Sequence, residues 1–337
     1  MRSRSTLMVL ILAAMPAASP VLGLDVGDPA PPLQITEWVA GKAVDLKAGK
    51  GKTVYVLEFW ATWCGPCKMS IPHLTELQAK YKDKDVVIIG ISDEPPGTIR
   101  PFMKNMGDKM VYTIASDKAG TTMRTYLGGF GVNGIPYACI VDKSSTIVWH
   151  GSPFEELDNT LEQVVTGKFD VEVAKRSAKA VKMLDTYFGT LIKASETSDT
   201  KDKDKLASDA RKTGDEILKL ADKNPKVLAI LALNILLHPQ LKIRDRELAL
   251  KAASNAKDLA GGKDFAILDA YARVLWETGK RNEAVKHQKD AVALAKDPTI
   301  RQQLTATLKE YEQSLAGAQP ATTRPAATPP TEDKPAK

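Results

Sequence analysis

The chain has 337 residues, of which 43% are hydrophobic and 26% charged, a composition typical of folded domains rather than of disordered chains. Its net charge of +6 is spread thinly over a length sufficient for two domains. Lysines alternate with acidic residues, and no basic cluster is interleaved with aromatic side chains. Composition and charge therefore argue against a nucleic-acid-binding protein.

Residues 1–23 have the three parts of a secretory signal peptide. Arg2 and Arg4 provide the positive start, residues 7–14 the apolar core and residues 21–23 a cleavage site. The apolar run is too short to span a bilayer as a permanent helix, although an uncleaved anchor is the alternative. The mature chain is therefore expected in the periplasm or outside the cell.

Residues 24–170 are predicted to form an α/β domain. Residues 33–38 and 43–46 suit a short hairpin. Two continuous apolar runs, 53–60 and 85–92, are typical of buried parallel strands. Further strands are predicted at 110–115, 138–142 and 146–150, and helices at 68–81, 98–105, 120–126 and 154–166.

Two cysteines separated by two residues lie where the first apolar strand turns into a helix. The sulfur of Cys64 is expected at the helix N-terminus, where unpaired N–H groups and the helix dipole favour a thiolate. Cys64 is predicted to be the exposed nucleophile and Cys67 the more buried resolving thiol. A zinc half-site or a static disulfide is the alternative, but the chain has one further cysteine and four scattered histidines. We expect a redox-active disulfide with neither metal nor cofactor.

The segment around these cysteines, Glu-Phe-Trp-Ala-Thr-Trp-Cys-Gly-Pro-Cys-Lys at 58–68, resembles the active-site segment of thioredoxins. It is more similar to that of the extracytoplasmic TlpA/ResA-like thiol-disulfide oxidoreductases, over about residues 25–170. The resemblance implies a thioredoxin-like fold, a central mixed sheet flanked by helices. It also implies disulfide exchange through a mixed disulfide, with reduction as the favoured direction. Expected substrates are exported proteins such as apocytochrome c, and the expected electron donor is a membrane thiol.

Two acidic residues are candidates for a role beside the cysteines. Glu58 lies on a strand that is otherwise apolar on both sides, so burial should raise its pKa, unless the strand is an edge strand and Glu58 faces solvent. By resemblance, Glu58 takes the place of the buried aspartate of thioredoxin, which relays a proton to and from the second cysteine. Glu94, after the strand 85–92, is similar to a glutamate beside the disulfide in ResA-like proteins, with Asp93 as the competing match.

A proline precedes the strand 138–142 and is a candidate for a cis peptide bond. By resemblance, Pro136 faces the cysteines, and the backbone of its neighbour pairs with an extended substrate segment. The resemblance does not carry over substrate preference, because relatives commonly follow this proline with Thr-Thr and this chain has Tyr-Ala. The catalytic residues so implied are Cys64, Cys67, Glu58, Glu94 and Pro136, and the substrate-binding residues are Trp63, Gly65, Pro66, Ile135 and Pro136.

Two further residues could carry chemistry. Cys139, the third cysteine, is expected to be a buried, inert thiol, the alternative being an additional redox partner close to Cys64. His73 is predicted to be structural rather than a proton-transfer group, since nothing pairs with it in the sequence.

The second half of the chain is predicted to be all-α. Residues 171–205 are expected to contain a long helix, at 174–194, and a charged hinge, at 195–205. Six helices follow over residues 206–316, and the Pro-, Ala- and Thr-rich residues 317–337 are predicted to be a disordered tail.

An internal repeat runs through these helices. Ala249, Lys251, Ala256, Leu259 and Ala260 recur with an offset of 35 residues. The period and the small residues resemble tetratricopeptide units, whose stacked helices bind partners or substrates on a concave surface. A packing or oligomerisation element is the alternative interpretation.

Two other functions are compatible with the sequence. A helical adaptor could use the redox domain only to tether a thiol partner. A peroxiredoxin-like peroxidase would need a Thr-x-x-Cys turn, and Thr62-Trp-Cys64 lacks that spacing.

Overall fold

The structure is a computed structural model that describes residues 23–318. The chain separates into two compact units, with the boundary between Val171 and Glu172. Apart from residue 23, the predicted signal peptide lies outside the described residues, as do residues 319–337 of the predicted tail. Between residues 23 and 318, no helix combines the length and the apolar character that crossing a membrane requires.

The first unit is a six-stranded mixed sheet with helices packed on both faces. The strand order is β1-β4-β3-β2-β5-β6, in which β2–β3 and β3–β4 are parallel pairs and the others antiparallel. In chain order the elements are β1 (Ile35–Ala40), β2 (Val54–Phe59), α1 (Gly65–Lys80), β3 (Val86–Ser92), α2 (Pro96–Met106), β4 (Thr113–Asp117), α3 (Thr121–Gly129), β5 (Tyr137–Val141), β6 (Ile147–Gly151) and α4 (Leu157–Val165).

Strand β2 lies at the centre of this sheet, and all six of its residues are buried. Its side chains alternate between the two faces, as the two-residue period of a strand requires. Val54 and Val56 pack with α1 and α4, whereas Leu57 and Phe59 pack with α3 on the opposite face. The chain leaves β2 at the sheet edge where α1 begins, so strand and helix together fix the position of the cysteines.

The predicted N-terminal hairpin does not form. Residues 43–46 are not a strand, and β1 pairs antiparallel with β4 at the edge of the sheet. The partner strand β4 is distant from β1 in the sequence, so residues close to β1 could not indicate this pairing. Leu46 is still buried, in the core that also contains Leu57 and Phe59.

The second unit consists of helices. They are α5 (Val171–Glu196), which begins at the boundary, α6 (Thr200–Leu220), α7 (Pro225–Leu237), α8 (Arg246–Leu259), α9 (Phe265–Glu277), α10 (Arg281–Leu294) and α11 (Pro298–Ala318). The repeated alanines at 249 and 256 in α8, and at 284 and 291 in α10, are all buried. Helix α8 packs on α7 and α10 on α9, so the small residues lie where neighbouring helices meet.

The predicted charged hinge is wrong over most of its length. Only residues 197–199 separate α5 from α6, and the charged run is helical from Thr200 onward. The carboxylate of Asp199 caps α6 by accepting a hydrogen bond from the N–H of Asp202 at 2.9 Å. Residues 201–205 are exposed, and a helix tolerates Lys and Asp on an exposed face.

Candidate active site

Cys64 and Cys67 form a disulfide at the N-terminus of α1. Cys64 is the N-cap residue, and its Sγ accepts a hydrogen bond from the backbone N–H of Cys67 at 3.1 Å. Pro66 lies in the first helical turn, where its missing N–H leaves no hydrogen bond unmade. When the disulfide is reduced, the same N–H and the helix dipole can stabilise a thiolate at Cys64.

The prediction that Cys64 is exposed is wrong for the disulfide form. Cys64 is 3% exposed and Cys67 0%. The Cys64 sulfur is turned toward Cys67, and the carbonyl oxygen of Ile135 lies 3.7 Å from it. The surface around the disulfide is instead formed by exposed neighbours, Trp63 at 71% together with Gly65 and Pro66.

The loop before β5 lies against the disulfide, although Ile135 in this loop is 71 residues from Cys64 in the sequence. The Ile135–Pro136 peptide bond is cis. The half-buried side chain of Ile135 packs against the cores on both faces of the sheet. Of the residues predicted to bind substrate, the structure therefore groups Trp63, Gly65, Pro66, Ile135 and Pro136 around the two sulfurs.

Glu58 is completely buried in the central strand, so the edge-strand alternative is excluded. Its neighbours in register are Ala138 on β5 and Gly90 on β3, two small residues that leave room for the carboxyl group. Strand alternation places it with Val56 on the face that packs against α1 and Cys67. Burial raises the pKa of Glu58 to about 8, because the loss of water disfavours the charged carboxylate.

Glu94 is held against the loop that precedes Cys64. Its carboxylate accepts hydrogen bonds from the N–H of Thr62 at 2.6 Å and from the Thr62 hydroxyl at 2.7 Å. The hydroxyl of Ser92 donates a third at 3.1 Å. Glu94 thus ties the loop after β2 to the end of β3, whereas its competitor Asp93 is exposed.

Thr62 and Ser92 were missed by the sequence analysis. Both lie at the carboxyl end of a parallel strand, β2 or β3, where the loops of neighbouring strands meet. This placement could have been used for prediction. The carboxyl ends of β2 and β3 meet at one edge of the sheet, so an acidic residue after β3 is close to polar residues after β2.

A second missed contact supports the strand that follows Pro136. The Tyr137 hydroxyl is 2.7 Å from Nδ1 of His150, and the His150 ring stacks on Phe130 at 4.2 Å. Burial raises the pKa of Tyr137 to about 12, so its hydroxyl stays protonated at neutral pH. Tyr137 and His150 come together because β5 pairs with β6, and the local sequence contains no pattern that predicts this contact.

Cys139 and His73 lie outside the redox centre. Cys139 is free and completely buried in the core on the sheet face opposite α1, and burial raises the pKa of its thiol. Nε2 of His73 on α1 is 2.7 Å from the carboxylate of Asp158 on α4, so His73 connects two helices. Over residues 23–318, no group of three or more His, Cys, Asp or Glu side chains is arranged to hold a metal ion.

Comparison with known proteins identifies relatives of the first unit. The model of the AhpC/TSA family matches residues 26–150. The thiol-disulfide oxidoreductase ResA of Bacillus thuringiensis subsp. konkukian is 36% identical over 126 residues, which cover 37% of this chain and 68% of that protein. ResA of Halalkalibacterium halodurans is 30% identical over 115 residues, covering 34% of this chain and 61% of its own.

The chain is also similar to solved structures. A thiol:disulfide interchange protein from a Bacteroides species is 26% identical with a TM-score of 0.37, and the match covers 43% of this chain and 92% of that one. The ResA relatives match little more than a third of the chain. The matched domain contains the Cys64–Cys67 disulfide at the start of α1. The chain therefore belongs to the ResA family of thioredoxin-like thiol-disulfide oxidoreductases.

Proposed function

We propose that this chain is an exported reductase of protein disulfides that works through the Cys64–Cys67 dithiol. The observation that carries the proposal is the Cys64 sulfur at the N-cap of α1, which accepts the Cys67 N–H and lies against the Ile135 carbonyl. A sulfur in that position is electrostatically favoured as a thiolate, the form that attacks disulfides.

The reaction consists of two exchanges. The Cys64 thiolate attacks one sulfur of the substrate disulfide, so that a mixed disulfide forms and the other substrate sulfur leaves as a thiolate. Cys67 then attacks the Cys64 sulfur and releases the second substrate thiol. The two electrons of the dithiol reside on the substrate, and the enzyme is left with its own disulfide. A membrane thiol donor would return the electrons.

Glu58 is proposed as the group that takes the proton of Cys67. A thiol that is 0% exposed cannot release its proton directly to water, and Glu58 lies on the same face of the sheet. Its pKa of about 8 is close to that of an ordinary thiol, so a proton can pass between the two at little cost. Glu94 is proposed to position the loop that carries Cys64, through its bonds to Thr62.

Substrate binding is proposed at the exposed rim of the disulfide. Trp63 supplies a large apolar face, and Gly65 and Pro66 leave the approach to the sulfurs open. The backbone at Ile135 and Pro136 would pair with an extended segment of the substrate. A partially unfolded exported protein, such as an apocytochrome c, satisfies these requirements.

The second unit is proposed to bind a protein partner or substrate through tetratricopeptide-like helices. Support comes from the 35-residue repeat and from its buried alanines in α8 and α10. The division of labour would place the chemistry in residues 24–170 and the recognition in residues 206–316.

The reduction potential of the Cys64–Cys67 couple tests the proposed direction. We expect a value close to that of thioredoxin, about −270 mV, measured by equilibration with dithiothreitol buffers and alkylation of the thiols. The Cys139→Ser variant should give the same value, because Cys139 is buried on the other face of the sheet. A potential close to that of strong periplasmic oxidants, about −120 mV, would show that the chain oxidises its substrates instead.

A further inference from the structure

Four buried polar atoms on the sheet face beneath α1 have no hydrogen-bond partner among residues 23–318. They are both carboxyl oxygens of Glu58, Nε1 of Trp60 and the hydroxyl oxygen of Tyr112. Buried polar groups in folded proteins nearly always have hydrogen-bond partners, and a buried group without a partner is destabilising. Two acceptors and two donors in one core form a complementary set.

Gly90 is the residue that brings this set together. It lies directly beside Glu58 in the β2–β3 register. A Cβ atom at Gly90 would lie 3.0 Å from Nε1 of Trp60 and 3.0 Å from Cε2 of Tyr112. A side chain at this position would require these groups to move by a few tenths of an ångström, so glycine favours the close approach of the indole N–H and the phenol ring to the backbone next to Glu58.

Charge links the same groups. Burial raises the pKa of Tyr112 well above its ordinary value, and the negative charge of Glu58 raises it further. The Tyr112 hydroxyl is therefore neutral at every pH at which the protein works. An indole N–H is likewise a permanent donor. Both groups can donate to Glu58 when its carboxyl group is ionised.

We propose that Tyr112 and Trp60 are positioning residues of the redox reaction, which stabilise the ionised Glu58 carboxylate by hydrogen bonds donated across one buried water. The inference rests on the proposed role of Glu58 as the acceptor of the Cys67 proton. The S–H proton of Cys67 moves to Glu58 as Cys67 attacks the mixed disulfide. The donors lower the cost of the charge that Glu58 carries before that transfer.

Carboxyl NMR of the full-length oxidised protein tests the inference, with the Glu58 signal assigned from its loss in Glu58→Gln. In the disulfide form neither Cys64 nor Cys67 titrates, so the midpoint reports on Glu58 alone. Tyr112→Phe should raise the midpoint by about one pH unit, the effect of one lost hydrogen bond to a charged group. Trp60→Phe should shift it in the same direction.

Tyr81 provides a matched control. It is buried in the same core, but it caps the end of α1 opposite Cys64. Tyr81→Phe should therefore leave the Glu58 midpoint unchanged. If Tyr112→Phe and Trp60→Phe behave like Tyr81→Phe, or lower the midpoint, the inference is wrong.

A second readout separates this inference from the proposed function. The pH dependence of the rate of protein-disulfide reduction should have the same midpoint as the Glu58 titration. Tyr112→Phe should shift the midpoint of this pH–rate profile to higher pH, by the same number of pH units as the NMR midpoint. Glu58→Gln should remove the step. If Glu58→Gln leaves the profile intact, Glu58 is not the proton acceptor, whatever the NMR midpoints show.

Discussion

Replacing Cys64 with serine is expected to abolish protein-disulfide reduction, with a rate loss of about a thousandfold or more. A serine hydroxyl does not ionise at neutral pH, so the N-cap position would hold no nucleophile. Cys67 is not expected to replace it, because Cys67 lies inside α1 rather than at its N-cap and its side chain is completely buried. Turbidity of insulin reduced in the presence of dithiothreitol measures the loss.

Cys139→Ser is the matched control for this loss. The substitution also removes one cysteine from the first unit, but on the face of the sheet away from α1. Its activity should stay within about twofold of the parent chain, apart from any effect on folding yield. A Cys64→Ser variant that keeps more than about a tenth of the parent rate would show that another group starts the reaction.

Replacing Glu58 with glutamine is expected to stabilise the oxidised chain by about 3 kcal/mol at pH 7. The carboxyl group has an ordinary pKa of 4.5, which burial raises to about 8 in the folded protein. Between these values the unfolded chain releases a proton that the folded chain retains, so folding becomes less favourable as the pH rises. Glutamine has nearly the same shape and no proton to release.

The pH dependence of this stabilisation is the diagnostic result. Below pH 4.5 the carboxyl group is protonated in both states, and the two proteins should be equally stable. The difference should grow from there and level off above pH 8, where the folded carboxyl group ionises too. Urea unfolding followed by tryptophan fluorescence is suitable, since four of the five tryptophans, at 38, 60, 63 and 149, lie in the first unit.

Glu76→Gln is a suitable comparison because Glu76 is on the same unit and exposed. Its substitution should change the stability by less than about 0.5 kcal/mol at any pH. A Glu58→Gln effect that is independent of pH, or that destabilises the chain at pH 8, would contradict the assignment of a buried, largely protonated acid.

Local patterns in the sequence were sufficient to place the redox centre. The apolar run before Cys64 and the helical residues after it determine a strand-to-helix turn, and both elements form where predicted. The burial of Glu58 was the favoured interpretation of the same run, because a strand that is apolar on both sides is typical of a sheet interior, and the structure excluded the edge-strand alternative. These inferences needed only residues close to one another in the chain.

Contacts between distant residues account for what was missed. The carbonyl oxygen of Ile135 lies 3.7 Å from the Cys64 sulfur, a contact that no pattern around the cysteines could reveal. Glu94 reaches Thr62 only because β2 and β3 end at the same edge of the sheet. Tyr112 lies against Gly90, which strand register places beside Glu58.

The prediction of a charged hinge at residues 195–205 was wrong for a different reason. Alternating Lys and Asp are compatible with a solvated loop and with the exposed face of a helix, so composition does not separate the two. The N-cap at Asp199 decides in favour of the helix, together with buried residues in α6 such as Ala210 and Ile217. A capping residue followed by small and aliphatic residues at helical spacing was the available signal.

Trapping the mixed disulfide is the most direct test of thiol–disulfide exchange through Cys64. In Cys67→Ser the second exchange cannot occur, so a protein substrate should remain bound through one disulfide. Peptide mass spectrometry without reducing agents locates that bond. We expect it on the peptide that contains Cys64, and absent from Cys64→Ser. A substrate disulfide on Cys139, or none in Cys67→Ser under turnover conditions, would contradict the mechanism.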